Sequence, residues 1–593
     1  MSELSHPVLQ QLAQGELVFG IPSGVLTTKP GLIKRIDKEV PEIGIITTKS
    51  FTPKPLEGYR EPILAEINPG DFVNAVGLRN PGFKVALKEL IQLRKDHKMR
   101  ALLNVSIAAN SPEDFAMMAK EFDKVADTLE LNFSCPHAAP GFGAAIGTSP
   151  ELVKEYVEAV AKVSCVPIIA KLPPVANIGE IALAAIKGGA EGIAAINTVG
   201  PYRPVHVSGE HQFNNPRENQ GGKSGGWIFE NAVVAIREIA KVRKEHGIFF
   251  PIFGIGGVRN GEDVIKLKRA GADAIFIGTS LGLVHPEARS AYLQALKKGE
   301  NAEEFLPAKK SIHYDQFKIQ KIREMGKDLR MFTCEGELLY DATQFAFIWL
   351  LGIGEKPFCI MRGNRPRFLI RKRPYDKKEN KGLFTNAVFK LKVGDKLWVR
   401  GPYGVKPKLP ENSNVFIAVA GTGVAVVPKL VQQLQEKNNS VEVYFGISKS
   451  SDLRSAAYLR LNTPVHIIQD LDHPGEVLST MSEMLKRRNT ENAIFYTIGP
   501  QIFMDKAMAL AESIGLNEGD IHAVLEKRCS CGVGICGECE CGGKLCCKEG
   551  TTFSYDYLKE HEGQKRIIQE PSSGKALITE VSQKYFATQK ESL

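Results

Sequence analysis

Between residues 15 and 308 the sequence repeats one unit, a short β-rich segment followed by a longer helix-compatible stretch, and eight such units leave few folds open. The predicted strands are 17–21, 43–48, 101–106, 128–133, 166–171, 192–197, 249–255 and 273–278. Amphipathic stretches such as Phe83 to Arg94 and Glu151 to Val163 lie between them, with apolar residues returning every three or four positions. Ser149-Pro150-Glu151 is a suitable helix start, because Ser caps open amides and Pro is harmless in a first turn. The spacing predicts a TIM barrel; a doubly wound sheet is the alternative, disfavoured by the number of units and the total length.

In such a barrel, residues at the C-terminal strand ends face one cavity. Lys49, Asn104, Asn132, Cys135, Lys171 and Asn197 all fall there. Glycine turns follow the seventh strand (Gly254 to Gly257) and the eighth (Gly278-Thr279-Ser280), the corner where backbone amides receive phosphate. Lys49 and Lys171 each close an apolar strand, where a core-facing cation needs an anion. A lone Cys after a strand is ordinarily a small hydrophobe, the reading kept for Cys165, but Cys135 stands among Asn132, Ser134 and Pro136 in a strand-end loop.

Across residues 15 to 300 the sequence resembles the soluble, FMN-containing dihydroorotate dehydrogenases. The resemblance rests on Lys49-Ser50, Asn74 to Gly82, Leu103 to Ser106, Asn132 to Pro136, Ala170 to Leu172, Ile196 to Thr198 and Ser224-Gly225. It implies that Lys49 and Lys171 lie against the flavin ring, bordered by Ser23, Gly24, Ser50, Asn104, Ser224 and Gly225. Gly256, Gly257, Gly278 and Thr279 would hold its phosphate. Asn74, Asn132, Asn197 and Thr198 would bind a small cyclic amide, whose carboxylate meets the amides of Gly77 and Leu78. Cys135 would be the general acid/base, removing a proton as hydride leaves the neighbouring carbon. Two departures stand out. His137 replaces the family's Asn, and with Pro140 to Gly147 looks more like the pyrimidine-reducing domain of dihydropyrimidine dehydrogenase. His137 could then donate to a ring carbonyl. Gly58-Tyr59-Arg60-Glu61-Pro62 departs from the family's Gly-Asn-x-x-Pro-Arg.

After Lys309 the rhythm changes to shorter β-like segments, including 344–351, 367–372 and 396–399, as expected of a small antiparallel barrel. An apolar strand at 414–419 then enters Gly421-Thr422-Gly423, a turn suited to pyrophosphate. These segments resemble the ferredoxin-NADP reductase superfamily, in particular the electron-transfer subunit of NAD-linked dihydroorotate dehydrogenases. The resemblance implies FAD on Lys356, Pro357, Phe358, Gly382 and Thr385, with a nicotinamide nucleotide at Gly421 to Gly423. NAD is preferred to NADP because no arginine cluster follows Gly446 beyond Arg454.

Seven of the eleven cysteines lie between 529 and 547, unlike a secreted disulfide framework. Cys531, Cys536 and Cys539 have the Cys-x4-Cys-x2-Cys spacing of a plant-type 2Fe-2S cluster. Cys546 and Cys547 compete for the fourth position, and resemblance to the electron-transfer subunits favours Cys547. A tetrahedral zinc site is the competing reading.

The net charge of +9 is dispersed, with no dense basic block, so nucleic-acid binding is not expected. Met1 to Glu16 has no signal-peptide pattern, and no apolar run is long enough for a membrane span, which predicts a cytoplasmic enzyme, expected as a homo-oligomer. The expected organisation is an α/β TIM barrel (1–308), an FAD-binding antiparallel β-barrel (309–408), an α/β NAD(P)-binding domain (409–522) and a 2Fe-2S domain with a tail (523–593). The leading expectation is NAD-linked oxidation of a dihydropyrimidine ring through FMN, 2Fe-2S and FAD. A dihydropyrimidine dehydrogenase-like reductase of uracil or thymine, and a flavin/iron-sulfur carrier serving a protein partner, are the alternatives.

Overall fold

The computed structural model describes residues 6–133, 146–361, 363, 365–376, 382–447, 462–469, 476–488 and 492–562. Eight parallel strands close into a barrel: β1 (Val18–Ile21), β2 (Ile43–Thr47), β3 (Leu102–Ile107), β4 (Thr128–Asn132), β5 (Ile168–Leu172), β6 (Gly192–Ala195), β7 (Ile252–Ile255) and β8 (Ala274–Phe276). Each lies within the predicted segment or overhangs it by one residue. The outer helices form where apolar residues return at helical spacing. In Pro150–Ala161, Val153, Tyr156, Val157 and Val160 are buried, and the Ser149 hydroxyl accepts from the Leu152 amide at 3.3 Å. Each buried aliphatic of this kind contributes about 1.5–3 kcal/mol.

A four-stranded antiparallel sheet rides on the barrel mouth, in the order Leu64–Asn68, Asp71–Asn74, Gly221–Ser224 and Val199–Tyr202. It carries Asn74 and Ser224 to the cavity. Beyond the barrel comes a six-stranded antiparallel sheet spanning Asp315 to Tyr403. A bridge between Ile360 and Phe368 draws together the ends of its two edge strands, so it curls as a small barrel would. The next sheet is parallel, with Asn414–Ala420 at its centre, and the turn at Gly421 leads into helix Val427–Gln435. Its edge is formed by Ile521–Val524 and an antiparallel strand, Thr552–Ser554. The cysteine segment is therefore an excursion from this sheet, and the expected boundary at 522/523 falls inside one of its strands. Among the described residues no helix is long and apolar enough to cross a membrane.

Candidate active site

A cavity of about 220 Å³ opens at the C-terminal ends of the barrel strands. Ser23, Gly24, Lys49, Ser50, Asn74, Gly77, Leu78, Asn132, Lys171, Asn197, Thr198, Ser224, Gly225, Gly256, Gly257, Gly278 and Thr279 all line it. Residues spread over 256 positions thus converge because they lie at or just beyond the ends of barrel strands or are carried there by the antiparallel sheet on the barrel mouth. Asn104 does not line the cavity. It sits in mid-strand on β3, its amide donating to Thr47 Oγ1 at 3.1 Å and its carbonyl accepting from Thr128 Oγ1 at 2.9 Å. Cys135 and His137 lie outside the described residues.

The polar wall is a connected chain. Ser23 and Ser50 hydroxyls meet at 3.1 Å, Ser50 meets Ser106 at 2.9 Å, and Asn132 Nδ2 donates to Ser50 Oγ at 2.9 Å. Asn197 Nδ2 lies 3.5 Å from Asn132 Oδ1, while Asn197 Oδ1 accepts from the Thr198 amide at 2.7 Å. These bonds fix the asparagines before any ligand arrives, which reduces the ordering cost of binding. Gly77 (φ 69°) and Leu78 (φ 52°), both lining the cavity, are consecutive left-handed residues, a costly conformation for leucine.

Lys171 is 5% exposed, and Glu130 Oε2 lies 4.0 Å from its Nζ. Burial lowers the Lys171 pKa and the Glu130 charge partly restores it. Glu130 is 1% exposed and neither of its carboxylate oxygens has a hydrogen-bond partner. An orphaned buried carboxylate costs free energy unless a ligand or its cation supplies the donor. Glu130 was legible in one respect: it stands two positions before Asn132 on β4 and so shares its face. Arg259, two residues beyond Gly257, also lines the cavity, with its buried Nε unpartnered. It adds a cation at the glycine corner.

Two glycines show how closely the wall fits. A Cβ at Gly24 (φ 86°) would lie 3.4 Å from the Lys49 ammonium. At Gly257 (φ 77°) it would lie 2.7 Å from the Phe229 Cα. The positive cavity, its glycine corner and the orphaned Glu130 suit a flat ligand bearing a phosphate.

The last part of the wall comes from far along the chain. Cys531, Ile535, Cys536 and Glu538 line the same cavity. Cys539 and Cys547 sulfurs are 3.4 Å apart, and the Cys536 amide lies 3.5 Å from Cys531 Sγ. Among the described residues no group of three or more His, Cys, Asp or Glu is arranged to hold a metal ion. Buried Arg400 fastens the loop: it donates to the Cys531 carbonyl at 2.8 Å while gripping Glu355 at 2.9 and 2.6 Å.

Farther out, Lys356, Pro357 and Phe358 belong to strand Gly354–Cys359, with Phe358 stacked on Phe384 at 5.9 Å. Thr385 Oγ1 accepts from the Arg373 amide and donates to the Gly382 carbonyl, at 3.0 and 3.2 Å. The Tyr340 hydroxyl near Arg367 and Cys359 is buried without a hydrogen-bond partner among the described residues. Burial pushes the Cys359 thiol up to about 12, so it stays protonated. Gly421, Thr422 and Gly423 form a short turn of 3-10 helix ahead of helix Val427–Gln435.

The sequence model of the dihydroorotate dehydrogenase family matches residues 16–298. The catalytic subunit of dihydroorotate dehydrogenase B (NAD(+)) of Pyrococcus horikoshii is 38% identical over 283 residues, 47% of this chain and 88% of that protein. The corresponding subunit of Pyrococcus abyssi is 39% identical over 264 residues, 44% of this chain and 83% of the relative. That of Bacillus thuringiensis is 36% identical over 241 residues, 40% of this chain and 74% of the relative.

Proposed function

The chain belongs to the dihydroorotate dehydrogenase family through its N-terminal barrel, and from that premise we propose that it oxidises dihydroorotate at this cavity and passes the electrons to NAD+ through its own C-terminal half. The observation that carries the proposal is the lining itself: the lysines, asparagines and glycine corner of the barrel share one wall with Cys531 and Cys536.

FMN, held by Lys49, Lys171, Ser23, Gly24 and the glycine corner, would supply hydride acceptance and single-electron release. Lys171, kept beside Glu130, presents positive charge where the reduced ring gains negative charge. Asn74, Asn132 and Asn197 orient the amide edges of the substrate, and the Gly77 and Leu78 amides receive its carboxylate. Cys135 is proposed as the base that takes the ring proton, and His137 as a donor to a ring carbonyl. Cys531, Cys536, Cys539 and Cys547 are proposed as 2Fe-2S ligands, supported by their spacing, by the contact of the Cys539 and Cys547 sulfurs and by the Cys536 amide beside Cys531 Sγ. Lys356, Phe358 and Thr385 are proposed to contact FAD, and the Gly421 turn NAD. A one-electron centre between two flavins is chemically apt because nicotinamide exchanges only hydride.

Anaerobic mixing of the purified protein with dihydroorotate tests this. Flavin absorbance bleaches in the wild type and stays unbleached in Cys135→Ser. An unbleached wild type, or an unimpaired Cys135→Ser, rejects the reading.

A further inference from the structure

The segment 58–62, whose sequence departs from the family pattern, meets a need outside the substrate cavity. Glu61 is 4% exposed and sits where three parts of the chain meet. Lys356 Nζ of strand Gly354–Cys359 lies 2.9 Å from one carboxylate oxygen. Around the other stand Arg79 Nη2 at 3.2 Å, Arg528 Nη2 at 3.3 Å and Ser530 Oγ at 3.3 Å. Burial alone would raise the Glu61 carboxyl, but Lys356, Arg79 and Arg528 together draw it down to about 2. Glu57 Oε2 lies 3.8 Å from Arg528 Nη1.

Each partner adjoins something functional. Arg79 directly follows left-handed Leu78, and it also donates to Ser530 Oγ at 3.1 Å and to the carbonyls of Glu57 and Tyr59. Ser530 directly precedes Cys531. Lys356 directly follows Glu355, which through Arg400 reaches the Cys531 carbonyl. Two chains of charged hydrogen bonds thus converge on the cysteine loop, one from the cavity turn and one from the strand.

We infer that Glu61 is a positioning residue that couples the cavity turn 76–79, the cysteine loop 528–531 and strand Gly354–Cys359, so that ligand binding at the turn is felt at the cysteine loop. Replacing it with Gln would leave three cations facing one another over a neutral amide. The ligand-dependent part of this inference rests on the proposed function.

Hydrogen-deuterium exchange on the full chain tests it, comparing wild type with Glu61→Gln and Lys356→Met. In Glu61→Gln, amides of 76–80, 354–358 and 528–532 exchange about tenfold faster together, the signature of one cooperative unit released. Orotate slows both 76–80 and 528–532 in the wild type but only 76–80 in Glu61→Gln. In the same variant, flavin bleaching by dihydroorotate stays within about twofold while NADH formation falls about tenfold, because only transfer between the halves is affected. Lys356→Met, which leaves both arginines on the carboxylate, frees 354–358 and keeps the orotate effect at 528–532; this covers the case of a Glu61→Gln chain that does not fold. Loosening confined to residues around position 61, or orotate protection of 528–532 that survives Glu61→Gln, overturns the inference. If orotate protects nothing in the wild type, the substrate assignment fails separately, and joint or confined loosening still decides on Glu61.

Discussion

Replacing Arg400 with Met perturbs the most deeply buried charge pair among the described residues of the C-terminal half. The Arg400 and Glu355 side chains are 1% and 0% exposed. Arg400 makes two hydrogen bonds to Glu355, one to Tyr403 Oη at 2.9 Å and one to the Cys531 carbonyl, with its guanidinium carbon 3.8 Å from the Phe347 ring centroid. Met fills most of the volume but leaves the Glu355 carboxylate with only the Tyr314 hydroxyl, at 2.6 Å. Removing one member of a buried pair costs about 3–5 kcal/mol, because the other charge remains without compensation. The companion Glu355→Gln keeps a hydrogen-bonding side chain but leaves the Arg400 cation buried without its counter-charge, so it costs a comparable amount. The double variant is then milder than the sum of the two by about 2 kcal/mol. Urea unfolding followed by fluorescence of Trp349 and Trp398, which lie in the same sheet, measures all three. A loss below about 1 kcal/mol for Arg400→Met, or strict additivity in the double variant, refutes the reasoning.

Three further outcomes are expected. Gly257→Ala places a Cβ 2.7 Å from Phe229 in a left-handed conformation and lowers FMN retention on gel filtration about tenfold or more; normal flavin content would remove Gly257 from the phosphate corner. In Glu130→Gln, the buried Lys171 loses the charge that offsets its desolvation, so its pKa falls further. Flavin reduction that needs the ammonium is then lost on raising pH at a lower pH than in the wild type, visible as a displaced alkaline limb; an unmoved limb denies the pairing a role. Cys539→Ser and Cys547→Ser lose iron on purification while Cys546→Ser keeps it, measured by iron content; the reverse pattern for Cys546 and Cys547 reassigns the fourth ligand.

The barrel was legible because its strands and turns are local signals repeated eight times, and closing the barrel brings their ends together without further information. Asn104 shows the limit. Its segment was recognised, but the strand runs from Leu102 to Ile107, placing the asparagine in mid-strand between Thr47 and Thr128. Glu130 was overlooked because a carboxylate in an alternating strand resembles a solvated one until both neighbours are known. Glu61, 295 positions before Lys356 and 469 before Ser530, carries no local mark of its partners beyond an unexplained departure in its motif. The closeness of the cysteine loop to the cavity is of the same kind: spacing within the loop is readable, its docking on the barrel is not. Cys135 and His137, which the sequence leads one to expect at the substrate, lie outside the described residues.

Substrate choice is therefore where the account is most directly tested. The decisive measurement is the anaerobic rate of NADH formation by the full chain supplied with dihydroorotate, dihydrouracil or dihydrothymine in turn. The proposed reception of a carboxylate by the Gly77 and Leu78 amides predicts kcat/KM for dihydroorotate about a hundredfold or more above the other two. Turnover of dihydrouracil or dihydrothymine with none of dihydroorotate would contradict it.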